Sequence, residues 1–261
     1  MRFSQILGGM TATTTGFTAA IDADWLQGRS AFGGLQSALA VRAMRSLVPR
    51  GMPLRTLQTT FIAPVGAGAV EIRAQVLRTG KSAIHVQATL QSAGQVLCLV
   101  IGVFGSSRAS KIRIVPDYPQ VICERPQDFR FVPGITPSFI QHFDVRWLRG
   151  GMPFSGSQLP QNIIEIGMRD DGPANDEHVL AIADVIPPVA LSLLKTPAFG
   201  SSLTWMIEFL RDRFDDLPLQ GWRMDAELTA AHDGYTSQTG MLWGPGGEAV
   251  ALSRQSMVVF G

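Results

Sequence analysis

Apolar and polar positions alternate along most of this chain, and the alternation comes in two blocks. In the first block Val70, Ile72, Ala74 and Val76 alternate with Glu71, Arg73 and Gln75. Ile84, Val86, Ala88 and Leu90 then alternate with His85, Gln87, Thr89 and Gln91. A period of two predicts half-buried strands over residues 69–78 and 82–91. Thr79-Gly80 and Ala93-Gly94 separate them as in an antiparallel meander, and residues 95–104 read as a more continuous apolar strand. Two further strands are predicted over 17–25 and 54–63. Between these two, Leu35, Leu39, Ala43 and Leu47 recur at helical spacing. They predict a helix over 32–48, with Gly33-Gly34 at its start and Pro49-Arg50-Gly51 at its end.

Residues 106–137 break the pattern. They are rich in Pro, Ser and charge, keep no period, and read as an ordered surface linker. The pattern then starts again. A strand is predicted over 139–149, followed by the loop 150–153. Strands over 162–169 and 179–183 flank a polar loop, 170–178. A helix follows Asp184 and ends at Lys195-Thr196-Pro197. Strands over 202–210, 222–232, 235–243 and 248–260 complete the block, with Pro245-Gly246-Gly247 as the last turn. Both blocks run strand, helix, four strands. VIGVFG closes one at Gly105 and SMVVFG closes the other at Gly261. A helix that is apolar nearly all round has to be wrapped. A curved antiparallel sheet does this, and two such units pairing edge to edge hide strands that would otherwise be exposed. The sequence is therefore read as α+β with an internal duplication: units 1–110 and 138–261, joined by 111–137.

Composition narrows the function. Charged residues make up 16% of the 261 and the hydrophobic set 46%, with a formal net charge of +1. That balance gives no electrostatic case for nucleic acid or an anionic membrane. MRFSQILGGMTATTTG is too polar after Ile6-Leu7 for a signal-peptide core, and no apolar run approaches a membrane span. Cys98, in an apolar strand, reads as a buried free thiol. With Cys123 it makes no disulfide framework, so a reducing cytoplasm is the expected compartment.

The densest apolar stretch is LAIADVIPPVALSLL, residues 180–194, and Asp184 is its one charge. An unpaired buried carboxylate is costly. Asp184 is either a helix N-cap or a catalytic carboxylate at the positive end of a helix dipole. No G-x-S-x-G elbow, P-loop or G-x-G-x-x-G is present. His85, His142, His178 and His232 are scattered without metal-ligand spacing. His85 reads as solvent-facing, His178 as a loop residue and His232-Asp233-Gly234 as a turn. Gln255, in LSRQSMVVF, reads by itself as one polar position on a strand face. Gly33 and Gly34 either form a helix-start loop or let a backbone amide approach a ligand.

Taken together, the F-G-G helix start, PLRTLQTTFIAPV with VEIRAQVLRTGKS, the buried Asp and VALSRQSMVVFG resemble one family along nearly the whole chain. This is the double-hotdog acyl-CoA thioesterases of the bacterial thioesterase II type. The resemblance implies a tandem hotdog fold and hydrolysis of an acyl-CoA to a carboxylic acid and CoA. It implies no metal or redox cofactor. It also implies a homo-oligomer, dimer or tetramer. The family's catalytic Asp, hydroxyl residue and Gln fall here on Asp184, at the expected second helix start, Ser202 and Gln255. An Asp would activate water, and the neutral Gln and Ser would hold it. The chain departs from the family after Ser202, where Leu203-Thr204-Trp205 replaces an Asp-His pair. This departure supports a competing reading, a non-catalytic acyl-ligand-binding protein. A hotdog dehydratase fits poorly, because no His stands beside the helix start. In the first unit Gly34 and Leu99 occupy the places of Asp184 and Gln255, so one site per chain is expected. Arg29, Lys111 and Arg113 are either partners for CoA phosphates or solvated surface charges.

Overall fold

The computed structural model describes residues 1–123 and 125–260; Gly261, the end of the second closing repeat, lies outside them. The first half contains α1 (Phe3–Gly8), β1 (Thr11–Thr13), β2 (Gly16–Ile21), the small hairpin β3 (Leu26–Gln27) and β4 (Ser30–Ala31), and α2 (Gly33–Arg45). Four strands follow: β5 (Leu54–Phe61), β6 (Gly68–Thr79), β7 (Ala83–Ser92) and β8 (Gln95–Gly105). The second half contains β9 (Gln127–Phe129), β10 (Phe143–Arg149), β11 (Gln161–Met168), α3 (Asp176–Ala183) and α4 (Val189–Leu193). It closes with β12 (Phe199–Phe209), β13 (Trp222–His232), β14 (Tyr235–Trp243) and β15 (Ala249–Phe260).

Among the described residues thirteen strands form one antiparallel sheet in the order β1-β2-β6-β7-β8-β5-β12-β15-β14-β13-β11-β10-β9. Each half contributes the same spatial order. In the first it is β2-β6-β7-β8-β5 and in the second β11-β13-β14-β15-β12, so the duplication expected from the closing repeats is present. The halves join edge to edge through β5 and β12, with Thr60 opposite Thr204 and Leu57 opposite Ile207. A strand that would be an open edge in either half alone is thus paired. Two hotdog units fused along one continuous sheet make a double hotdog.

The helices lie inside the curve of this sheet. Ten of the residues of α2, from Gly34 to Met44, are buried, including Gln36 and Ser37. This is the all-round burial that its apolar composition demands. α2 packs directly on α3. A side chain at Gly34 would put its Cβ 2.8 Å from the Cα of Ala181, so glycine sets how closely the two helices approach. At the opposite end of α2, Arg45 pairs with Asp176, and Arg42 lies 3.6 Å from Glu177. Glu177 is buried, and burial and the neighbouring Asp176 carboxylate push its pKa up to about 8.

The second half differs from expectation around its helix. Residues 179–183, read as a strand, are the end of helix α3. Asn175 caps that helix, its Oδ1 accepting the His178 N–H at 2.9 Å, and Asp176 and Glu177 occupy the first turn. Cap and acidic turn both favour helix, whereas the short apolar run alone could not separate helix from strand. Asp184 therefore sits at the C-cap of α3 and not at the start of a helix of its own; the helix after it, α4, spans only five residues. Pro187 and Pro188 account for the gap, since neither offers an N–H to a helix. His178 is a buried helical residue and not a loop residue, with Nε2 3.2 Å from Asp170 Oδ2. His85, read as solvent-facing, is half-buried. The strands predicted over 17–25 and 139–149 are each replaced in part by a 3-10 turn, Ala23–Trp25 and Ser138–His142. The linker region carries the short edge strand β9. It is pinned near Tyr118, whose ring lies 4.1 Å from the guanidinium of Arg223.

Candidate active site

α2 begins without a cap of its own: Phe32 occupies the N-cap position and supplies no side-chain acceptor. The acceptor comes from the other half of the chain. Asp184 Oδ2 accepts the Gly34 N–H at 2.8 Å. The absence of a side chain at Gly33 makes room, because a Cβ there would lie 2.7 Å from the same oxygen. Asp184 thus caps the first unit's helix and not, as the simplest reading of the sequence had it, a helix that follows it. It meets the positive end of α2's dipole across the junction.

The other carboxylate oxygen faces the sheet. Oδ1 accepts from Gln255 Nε2 on β15 at 2.9 Å, and the same Nε2 lies 3.1 Å from Ser202 Oγ on β12. Ser202 and Gln255 come together because β12 and β15 pair, with Ser202 opposite Met257 and Trp205 opposite Gln255; a bulge between Ser202 and Thr204 shifts the register by one. Ser201 also borders the cleft, but Ser202 is the serine that meets Gln255. Downstream of the bulge Trp205 is buried, and its indole Nε1 donates to Ser253 Oγ at 2.9 Å.

These groups line a cleft of about 110 Å³ between the halves. The first half contributes Gln27, Ser30, Gly33 and Gln36 to its wall. Among the described residues Asp184 is the one acidic or basic side chain in that wall. It is half-buried and opens to solvent through the cleft. Burial pushes its pKa up to about 7, and the hydrogen bonds from Gln255 and Gly34 act in the opposite direction. A carboxylate so placed can take up and release a proton near neutrality.

Sequence reasoning missed Gln238. It lies on β14 directly opposite Gln255 and is buried. Its Nε2 lies 3.3 Å from Gln255 Oε1, and its Oε1 accepts the Val189 N–H at 2.9 Å. In YTSQTG every neighbour is polar or small, so no alternation marks the inward face; counting back from the Pro245-Gly246-Gly247 turn is the signal that finds it. In the first half the corresponding cross-strand pair is Thr89 and Leu99, which has no amide to offer. His232 and Asp233 touch at 3.1 Å but are more than 80% exposed in a turn where Asp233 has φ 51°. Among the described residues no three His, Cys, Asp or Glu side chains gather to hold a metal ion, and no helix is long and apolar enough to cross a membrane.

The double-hotdog fold and the two domains matched along the chain define the class of protein. The chain belongs to the acyl-CoA thioesterase family. Residues 21–105 match the acyl-CoA thioesterase N-terminal domain and residues 120–259 the C-terminal domain. It is similar to a conserved hot dog fold protein of unknown function from Alicyclobacillus acidocaldarius, with 23% identity, a TM-score of 0.88, and 99% of this chain and 98% of that one covered. It is also similar to the tesB protein of Mycobacterium avium subs paratuberculosis, with 14% identity, a TM-score of 0.77 and 100% of each chain covered. The acyl-CoA thioesterase II of Mycobacterium marinum gives 15% identity, a TM-score of 0.71, and 99% and 98% coverage. At these identities the likeness is one of fold. No curated protein sequence matches the chain.

Proposed function

We propose that this protein hydrolyses the thioester of an acyl-CoA, with Asp184 as general base. The observation that carries the reading is the placement of Asp184. It is the sole acidic or basic group in the cleft wall among the described residues, is poised near neutral pH, and is bonded on both oxygens. Asp184 takes a proton from a water held beside Gln255 and Ser202 as the water oxygen bonds to the thioester carbonyl carbon. The start of α2 presents its positive end to the negative charge that develops on the carbonyl oxygen. The C–S bond then breaks, and the sulfur leaves with the proton that Asp184 had taken. Carboxylic acid and CoA thiol result, and Asp184 returns to its ionised state. Gly33 leaves the space through which carboxylate and substrate meet at the helix start.

The competing reading, an acyl-ligand-binding protein, is supported by the buried Trp205 near the position where the family carries an Asp-His pair. Thiol release from acyl-CoA esters of graded chain length separates the two. Hydrolysis of any of them, lost in Asp184→Asn, supports the enzyme; binding of all without release supports the binder. A homo-oligomer, dimer or tetramer, is part of the same proposal. Phe199 and Phe260, opposite one another at the end of the β12–β15 pair, are 87% and 65% exposed. Light scattering at micromolar concentration tests it, and a monomeric mass would count against it.

A further inference from the structure

We propose that Gln238 is a positioning residue that holds the Gln255 amide in the one orientation able to donate to Asp184. The inference rests on the hydrolytic reading above. The Val189 backbone N–H can only donate, so the Gln238 atom 2.9 Å from it must be the carbonyl oxygen. Gln238 is then obliged to present its NH₂ to Gln255, at 3.3 Å, so the Gln255 atom facing it must be the carbonyl oxygen. The Gln255 NH₂ is left facing Asp184 Oδ1 at 2.9 Å and Ser202 Oγ at 3.1 Å. Two amides, each of which could point either way if isolated, are thus oriented in series by one backbone donor.

The chain of bonds also closes on itself. Val189 is five residues beyond Asp184 and opens α4, so the segment carrying the carboxylate is tied to β14 and β15 at both ends. Gln238 and Gln255 are 4% and 7% exposed, so water is poorly placed to replace either partner. Gln238 itself is not part of the cleft wall and touches the reaction only through Gln255.

Without Gln238 the Gln255 amide is free to turn over and present its oxygen to the carboxylate. The groups facing Asp184 from α2, β12 and β15 are Gly33, Gly34, Ser202 and Gln255, all uncharged, so no other charge masks the change. Gln238→Met keeps the bulk and removes both polar atoms. Its expected result is a kcat about tenfold lower, the scale of one lost orienting bond. The acid limb of its pH–rate profile is expected to move to higher pH. In a Gln255→Ala background nothing is left to position, so adding Gln238→Met should change neither kcat nor the limb. Should Gln238→Met fail to fold, Gln238→Leu replaces it in the same cycle, since it too removes both polar atoms and adds no charge near Asp184. Losses that multiply in the double variant, or a single variant with wild-type kcat and limb, would overturn the positioning role. Asp184→Asn, measured alongside, keeps the two ideas apart: wild-type rates there overturn the hydrolytic reading itself.

Discussion

Gly33 lies against the carboxylate of Asp184, 151 residues further along the chain, so closely that a Cβ at Gly33 would stand 2.7 Å from Oδ2. The next residue donates its N–H to the same oxygen. Two adjacent glycines at the start of one helix are thus shaped by the other half of the molecule, each for a different reason. The obstacles to a Gly33 Cβ are the Asp184 carboxylate and, at 3.0 Å, the Phe61 ring edge, both ends of side chains that can move. The nearest fixed obstacle at Gly34 is backbone, the Ala181 Cα at 2.8 Å.

Gly33→Ala is therefore expected to fold with a melting temperature close to wild type and to lose thiol release, because the carboxylate is pushed from its seat. Gly34→Ala is expected to lose ~1–3 kcal/mol of stability, the usual cost of overpacking, because α2 and α3 must separate. Thermal melts of the two variants beside acyl-CoA hydrolysis check both. Equal destabilisation by the two substitutions would refute this division of roles.

Stability should carry the mark of Asp184. Burial raises its pKa from 3.8 to about 7 on folding. Between those values the folded chain holds a proton that the unfolded chain has released. The stabilisation this gives is complete below about pH 3.8 and is lost as pH rises through about 7. Asp184→Asn removes that dependence. Relative to wild type the variant should gain ~2 kcal/mol between pH 5 and 8, moderated by the water that the cleft admits. Urea melts at the two pH values measure it, and a pH-independent difference would refute it.

Away from the cleft, Asp170 anchors the N-terminal helix. It accepts from the Ser4 N–H and Oγ, each at 2.7 Å, and lies 3.2 Å from His178 Nε2, with its side chain fully buried. Asp170→Ala leaves these partners unsatisfied. It should cost ~2–3 kcal/mol and expose Arg2 to trypsin before the rest of the fold opens. Limited proteolysis followed by mass spectrometry reads this out; an N-terminus as resistant as in wild type would speak against the anchor.

Much of this architecture was legible in the chain because strands announce themselves by period. The meander over β6, β7 and β8 and its counterpart over β13, β14 and β15 stand where alternation and turn residues placed them. The twin closures VIGVFG and SMVVFG revealed the duplication, which no single element could. The helix before Asp184 was not legible. Val179 to Ala183 is a short run with apolar residues on every side, and such a run carries no period. The Asn175 cap was the stronger signal there. The grouping of Asp184, Ser202 and Gln255 rested on family resemblance. Physically it requires the β12–β15 register with its bulge, a long-range pairing that local sequence does not encode. That Asp184 caps the helix of the opposite unit was invisible for the same reason. So was Gln238, hidden on a strand whose two faces are almost equally polar.

The central claim is that Asp184, set between α2 and β15, is the base for thioester hydrolysis, and the pH dependence of thiol release from an acyl-CoA ester tests it most directly. For the wild type kcat/KM should rise with a single ionisation near pH 7 and level off above it, following the carboxylate. Asp184→Asn keeps the shape and the Gly34 cap, gives up the bond from Gln255, and should lower kcat by roughly two to four orders of magnitude, with the ionisation gone from the profile. A folded Asp184→Asn protein that releases thiol at the wild-type rate, with the same rise near neutrality, would contradict the account.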